Sequence, residues 1–333
     1  MSAGLRARIG VCLVALTLAA ATAAADEAPA CVGRDLAQGL DLAAARAARA
    51  DDLTDAQGLL WRITRADLAP SYLFGTIHST DDQAVAIARR AAQLAAQAKT
   101  VATELGGPMD AVDKSALGAR LIAAAIDREH DTFAPALVGP DGVKVESFLA
   151  ARGVPKELAH HLKLWFLAVG AAAPTCEAAR EQAGLAEVDE VISQAGVDAK
   201  VPVVGLESAD EQTAALAAAP EDLSAALLVI SARLPGLDDD GYATMLRLYR
   251  EGRPAEMVAV VEALPQLTPD ERAAERRFDE LLLAGRNLTM ATRAAPLLAK
   301  GGAFIAVGAL HLPGKGGLIE RARAAGYRVE KVW

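Results

Sequence analysis

Aromatic side chains are scarce in this sequence, with 6 Phe, 4 Tyr and 3 Trp among 333 residues. A chain that is 53% hydrophobic with so few rings takes its apolar content largely from alanine, which signals helix more than greasiness. Dense Lys/Arg runs are also lacking. With 34 basic against 43 acidic side chains and a net charge of −9, there is no basic face to meet phosphates, so a nucleic-acid partner is excluded. No low-complexity tract accompanies the 15 Pro and 27 Gly, which excludes a disordered or fibrous chain. Beyond the N-terminus no apolar run is long enough to span a bilayer: the alanine-rich stretches around 119–126 and 166–173 are short and flanked by charge. Cysteine is rarer still, at three residues, and their spacing makes no zinc ribbon.

The N-terminus reads as a targeting segment. Arg6 and Arg8 precede an apolar run from Ile9 to Ala20, followed by Ala21-Thr22-Ala23-Ala24-Ala25 and then Asp26-Glu27. This is the pattern of a secretory signal peptide cleaved after Ala25, and the run is too short for a retained anchor. The mature protein is expected to be soluble, without a stable membrane anchor, and periplasmic or secreted. Cys12 departs with the signal. Cys31 and Cys176 remain, compatible with one disulfide in an oxidising compartment or with two buried thiols.

After an N-terminal arm over 26–54, residues 55–333 read as one domain, since no shift of composition marks a linker. Runs at 59–63 and 71–77 form a strand pair across a polar turn, followed by a helix at about 83–98 and a short strand at 99–105. From 109 to 300 helical periodicity dominates. Helices are predicted at about 111–130, 155–172, 186–195, 208–218, 220–234, 239–251, 254–263 and 269–299, the last with breaks; one strand, 201–206, interrupts them. Strand 303–309, helix 315–325 and strand 327–332 close the chain. The fold class is therefore α+β: a central mixed sheet built from N- and C-terminal strand-helix units, with a long helical insertion.

The two end units look alike. Gly75-Thr76-Ile77-His78 and Gly308-Ala309-Leu310-His311 each follow an apolar strand and precede a helix. Such a weak repeat places two of the five histidines at equivalent strand ends, across a pseudo-twofold axis, where functional residues gather. His130 reads as a surface residue, and His160 and His161 as structural residues of a helix. Two imidazoles need a carboxylate to complete a metal site. Glu104 and Glu207 each end an apolar strand; the plainer alternative is that each favours the N-terminus of the following helix.

These residues resemble a known family. Leu73-Phe74-Gly75-Thr76-Ile77-His78, Glu104, Gly205-Leu206-Glu207 with Glu211-Gln212, Arg286-Asn287 with Met290, and Val307-Gly308-Ala309-Leu310-His311-Leu312-Pro313-Gly314 with Gly326-Tyr327 look like the TraB/GumN family. That family includes the Tiki metalloproteases, and its core is similar to erythromycin-esterase and ChaN-like proteins. The resemblance covers roughly 55–333. It implies that His78, Glu104 and His311 are active-site residues, with Glu207 and Arg286 in support.

The chemistry expected from this set is metal-dependent hydrolysis of a peptide or protein substrate. His78, Glu104 and His311 would hold a divalent ion, Zn, Mn or Co, that lowers the pKa of water from about 15.7 toward 7. Glu207 would act as general base or fourth ligand, and Arg286 would stabilise the oxyanion or simply be a solvated helix charge. The alternative class is a non-enzymatic protein binding a metal, haem or peptide signal through the same histidines.

Overall fold

The computed structural model describes residues 29–333, so the predicted signal segment lies outside the described residues. The strands are β1 (Leu60–Thr64), β2 (Ser71–Thr76), β3 (Thr100–Thr103), β4 (Val203–Gly205), β5 (Ala303–Gly308) and β6 (Arg328–Lys331). They form one mixed sheet in the order β4-β3-β5-β2-β1-β6. β4, β3, β5 and β2 run parallel, and β1 is antiparallel to both β2 and β6.

The helices in chain order are α1 (Ala43–Ala48), α2 (Asp82–Ala95), α3 (Ala111–Ala125), α4 (Gly139–Ala151), α5 (Lys156–Ala159), α6 (Leu164–Ala172) and α7 (Thr175–Gln182). They continue with α8 (Val188–Asp198), α9 (Ala209–Ala217), α10 (Glu221–Arg233), α11 (Leu237–Arg250), α12 (Met257–Ala263), α13 (Pro269–Lys300) and α14 (Leu318–Ala324). None of these is long and apolar enough by itself to cross a membrane.

Side chains alternate across the strands, so the two faces of the sheet bury different layers. Trp61, Ile63, Leu73, Ile305 and Val307 face α13 and α14, where Met290, Ala294, Leu298, Leu318 and Ile319 complete the packing. Leu60, Phe74, Phe304 and Ala306 face α2 and α8, against Ala84, Val85, Ala88, Val188 and Ile192. Alanines at 84, 88, 91 and 95 recur with helical spacing and are fully buried, so α2 lies close on the sheet. The insertion closes a core of its own around Phe133, Leu149, Leu164, Trp165 and Leu228.

The repeat is visible as topology. β2 returns through α2 to β3, passing β5, while β5 returns through α14 to β6, passing β2 and β1, and the two crossover helices lie on opposite faces. The two units thus share a strand-helix-strand order but not the same strand spacing, one return passing one strand and the other two. Because β2 and β5 are parallel neighbours, with Gly75 opposite Val307 and Thr76 opposite Gly308, both Gly-x-x-His segments leave the sheet side by side.

Several helix boundaries differ from expectation. α13 runs unbroken through Pro296, which is exposed and lies in the C-terminal part of the helix, where its missing N–H leaves a carbonyl that water can reach. The expected helix at 155–172 is two, α5 and α6, parted where Leu162 bridges Ile126. The expected helix at 111–130 stops at Ala125 for the same pairing. Helices α1, α4 and α7 fall where no helix was expected. The thiols of Cys31 and Cys176 are joined in a disulfide, with Cα atoms 5.2 Å apart, which fits an oxidising compartment.

Candidate active site

Each motif glycine makes room for the other half of the site. A Cβ on Gly75 would stand 2.9 Å from the Cβ of Ala309 in the second motif. A Cβ on Gly308 would stand 3.2 Å from Glu104 Oε1 and 3.4 Å from the His311 ring. Both are close-approach glycines, and a side chain at either would wedge the two units apart.

Glu104 leaves the end of β3 and turns its carboxylate under Gly308, accepting the Gly308 N–H at Oε1 (2.7 Å). Its Oε2 accepts from Arg286 Nη2 (2.6 Å) and Gln212 Nε2 (3.0 Å). Glu207 lies beside it, the strand ends being joined by Glu207 N–H donating to the Glu104 carbonyl (2.8 Å). Arg286 spans both carboxylates: Nε reaches Glu207 at 3.1 and 3.0 Å and Nη2 reaches Glu207 Oε2 at 2.8 Å. Neither glutamate caps a helix; the N-caps of α3 and α9 are Asp110 and Ser208. Arg286 is no solvated charge, its side chain being 18% exposed.

His311, buried in the turn after β5, has its Nδ1 2.7 Å from Asn287 Oδ1. Since an amide oxygen only accepts, Nδ1 carries the proton, which leaves Nε2 with a lone pair 3.8 Å from Glu104 Oε1. Burial pushes the His311 pKa down to about 4, Glu104 opposing this, so the ring is neutral at pH 7. For Glu104 burial raises the pKa, but the charges of His311, His78 and Arg286 and the Gly308 N–H overcome it and hold the carboxyl near 2. Near pH 7, with His311 uncharged, His78, Arg286 and the backbone donor keep Glu104 ionised.

His78 stands on the segment after β2, with its side chain largely exposed to solvent. Its Nδ1 lies 3.3 Å from Asp189 Oδ2, and that carboxylate raises the His78 pKa. Glu187, the N-cap of α8, is close by; burial lifts its carboxyl to about 7 against the pull of His78. Ligand atoms of His78, Glu187 and Asp189 lie within 4.8 Å of one another, a group that can hold a metal ion. Thr76 Oγ1, at the end of β2, is buried without a hydrogen-bond partner among the described residues, whereas Asp189 Oδ2 faces the His78 ring.

This architecture is matched from end to end by one family profile, that of the TraB/PrgY/gumN family, over residues 59–331. The chain belongs to the TraB/PrgY/gumN family. No curated protein and no solved structure matches it.

Of the residues singled out in this family's pattern, the fold gathers Glu104, Glu207 and Arg286 into one bonded cluster, with His311 Nε2 3.8 Å from Glu104. His78 is placed with Glu187 and Asp189, near enough to Glu104 and His311 for their charges to interact. Sequence reasoning gave no role to Gln212, Asn287, Glu187 or Asp189. The adjacency of Arg286-Asn287 inside a helix was a usable signal. Glu187 and Asp189 had none, because acidic residues at a helix N-terminus are ordinary. His130 and His160 make other contacts: exposed His130 meets Asp127, and His160 stacks on Phe133 between Asp131 and Glu146.

Proposed function

We propose that this protein is an exported, metal-dependent hydrolase that cleaves a peptide or protein substrate in the periplasm or outside the cell. The observation that carries the reading is the donor set: His311 has Nδ1 held by Asn287 and so presents Nε2, and ligand atoms of His78, Glu187 and Asp189 lie within 4.8 Å of one another. Outer partners such as Asn287 set the tautomer of metal-ligating histidines. The donors suit the group: imidazole with carboxylate fits Zn, Mn or Co. His78 and His311 would hold the ion with carboxylates drawn from Glu104, Glu187 and Asp189. When bound, it supplies a water ionisable near neutral pH and polarises the scissile carbonyl.

The chain's own groups divide the remaining work. Glu207 is held by Arg286 and Gln212, so its carboxylate is engaged in orienting the guanidinium. With Glu104 and Asp189 as the carboxylate ligands, Glu187 beside His78 is left to accept a proton from water and return it to the leaving amine. Arg286 commits Nε and Nη2 to the glutamates, and Nη1 is left to meet an oxyanion. The carboxylate-rich crevice is a poor match for haem, which needs an apolar slot.

The deciding experiment is elemental mass spectrometry of the mature protein, wild type beside His78→Ala and His311→Ala, paired with cleavage of a peptide library. Near-stoichiometric metal lost in both variants, with hydrolysis abolished in folded Glu104→Gln, is expected. A wild type that takes up no Zn, Mn or Co overturns the reading, and metal uptake without cleavage leaves the non-enzymatic binding class.

A further inference from the structure

The segment carrying His78 has left the sheet by Thr76, so something other than strand pairing must hold it. Its support comes from α7, α8 and α11. The buried carboxylate of Glu177 on α7 accepts the Thr80 backbone N–H (3.1 Å), the Thr80 hydroxyl (2.7 Å) and the Ser79 hydroxyl (3.2 Å). Tyr242 of α11 joins the same carboxylate and lies 2.7 Å from Ser79 Oγ. Arg180, one turn along α7, donates to Thr80 Oγ1 (2.7 Å) and to the Thr80 carbonyl (3.1 Å). From α8, Val188 N–H donates to the Ser79 carbonyl (3.1 Å), so the segment bearing Asp189 is tied to the same residue.

Glu177 touches neither His78 nor the carboxylates of the crevice. Its neighbour in sequence is Cys176, whose disulfide to Cys31 anchors the start of α7 to the N-terminal arm. That arm is fixed in turn on α11, Arg34 pairing with Asp240 and Leu36 N–H donating to Thr244. The disulfide thus closes a frame of arm, α7 and α11 around the two residues that follow His78.

We infer that Glu177 is a positioning residue for His78, held in place by the Cys31–Cys176 disulfide, so that opening the disulfide detunes the crevice without touching any residue in it. The placement of His78 is independent of the metal reading; the effect on metal affinity rests on it. The test therefore has two arms. In the first, imidazole 1H–13C spectra of metal-free mature protein are compared for wild type, Glu177→Gln, Tyr242→Phe and Cys31→Ser/Cys176→Ser, with the His78 cross-peak assigned by His78→Gln. The His78 peak is expected to move or broaden in all three, while His130, His160 and His161, in the helical insertion, stay. A folded Glu177→Gln protein with an unmoved His78 peak and only a lower Tm overturns the positioning role; an unmoved peak in the serine pair overturns the disulfide's part. Should the serine pair fail to fold, wild type treated with a phosphine reductant takes its place with the same criterion.

In the second arm Co2+ titration, followed by its visible absorption, is expected to give a dissociation constant raised about 10- to 100-fold in Glu177→Gln, the usual cost of losing an outer-shell partner. Equal Co2+ affinity in wild type and Glu177→Gln overturns the effect on the metal. Absence of Co2+ binding in wild type counts against the metal reading alone, because the first arm decides the positioning role by itself.

Discussion

Arg286 decides the charge state of the crevice. It bridges two glutamates whose side chains are almost wholly buried, and buried carboxylates this close could not both stay ionised without a cation between them. The consequence is a definite response to acid in metal-free protein. The His311 pKa is lowered from 6.5 to about 4, so between those values the unfolded chain binds a proton the folded chain refuses, and stability falls as pH falls. Glu104, lowered from 4.5 to about 2, extends the loss: its contribution is whole above 4.5 and gone near 2. Each window is worth on the order of 3 kcal/mol at most. The raised carboxyls of Glu187, Glu275 and Asp279 act in the opposite sense, so the readout is a difference: in urea unfolding, His311→Gln should lose less stability than wild type on acidification from pH 6.5 to 4, and Glu104→Gln less from pH 4.5 to 2. A His311→Gln profile parallel to wild type between pH 6.5 and 4 would contradict the neutral, buried imidazole.

At the scale of elements, α13 is the member that joins the face of the sheet to the site. Met290, Ala294 and Leu298 pack under β5 and β2, and the same helix carries Arg286, Asn287 and Arg293, the last donating to the Leu206 carbonyl beside Glu207. Its one internal irregularity is Pro296, exposed, near the C-terminal end. Pro296→Ala restores the missing N–H and removes the ring's clash with the previous turn, and should stabilise the fold by about 1 to 3 kcal/mol in chemical unfolding. An unchanged or lowered midpoint would mean that the helix is already bent to suit the proline. The sequence was most readable where a chemical pattern and a periodic one coincide. The strand-helix-strand units were legible because apolar runs ended in Gly-x-x-His, and their likeness implied that the two histidines stand at equivalent strand ends of one sheet, though not that β2 and β5 are parallel neighbours. The insertion was legible as helix but not in its boundaries. Alanine fits a helix face, a helix end and a crossing equally well, so the Leu162–Ile126 bridge and the short helix α7 left no mark. The partners of His78 were hidden for another reason: Glu187 and Asp189 lie more than a hundred positions away, and only the packing of α8 on α2 brings them back.

Taken as a whole molecule, the chain depends on one covalent link between its beginning and its middle. The frame of arm, α7 and α11 rests on the bridge between Cys31 and Cys176, 145 positions apart in sequence. A loop of that length restricts the unfolded chain strongly. In the chain-entropy treatment it stabilises the fold by about 5 kcal/mol, near the upper end of what disulfides contribute. That is a large fraction of the roughly 5 to 15 kcal/mol by which a domain is stable at all. Titration of the denatured protein without reductant should find Cys31 and Cys176 unreactive. Guanidinium unfolding after reduction and alkylation of both cysteines should lose several kcal/mol, with a steeper dependence on denaturant because the reduced chain expands further. Two reactive thiols in protein isolated from the oxidising side of a membrane would contradict the link. If the reduced chain instead unfolds at the same midpoint, the contacts of the arm with α11, Arg34 to Asp240 and Arg247 to Asp35, hold the frame without it.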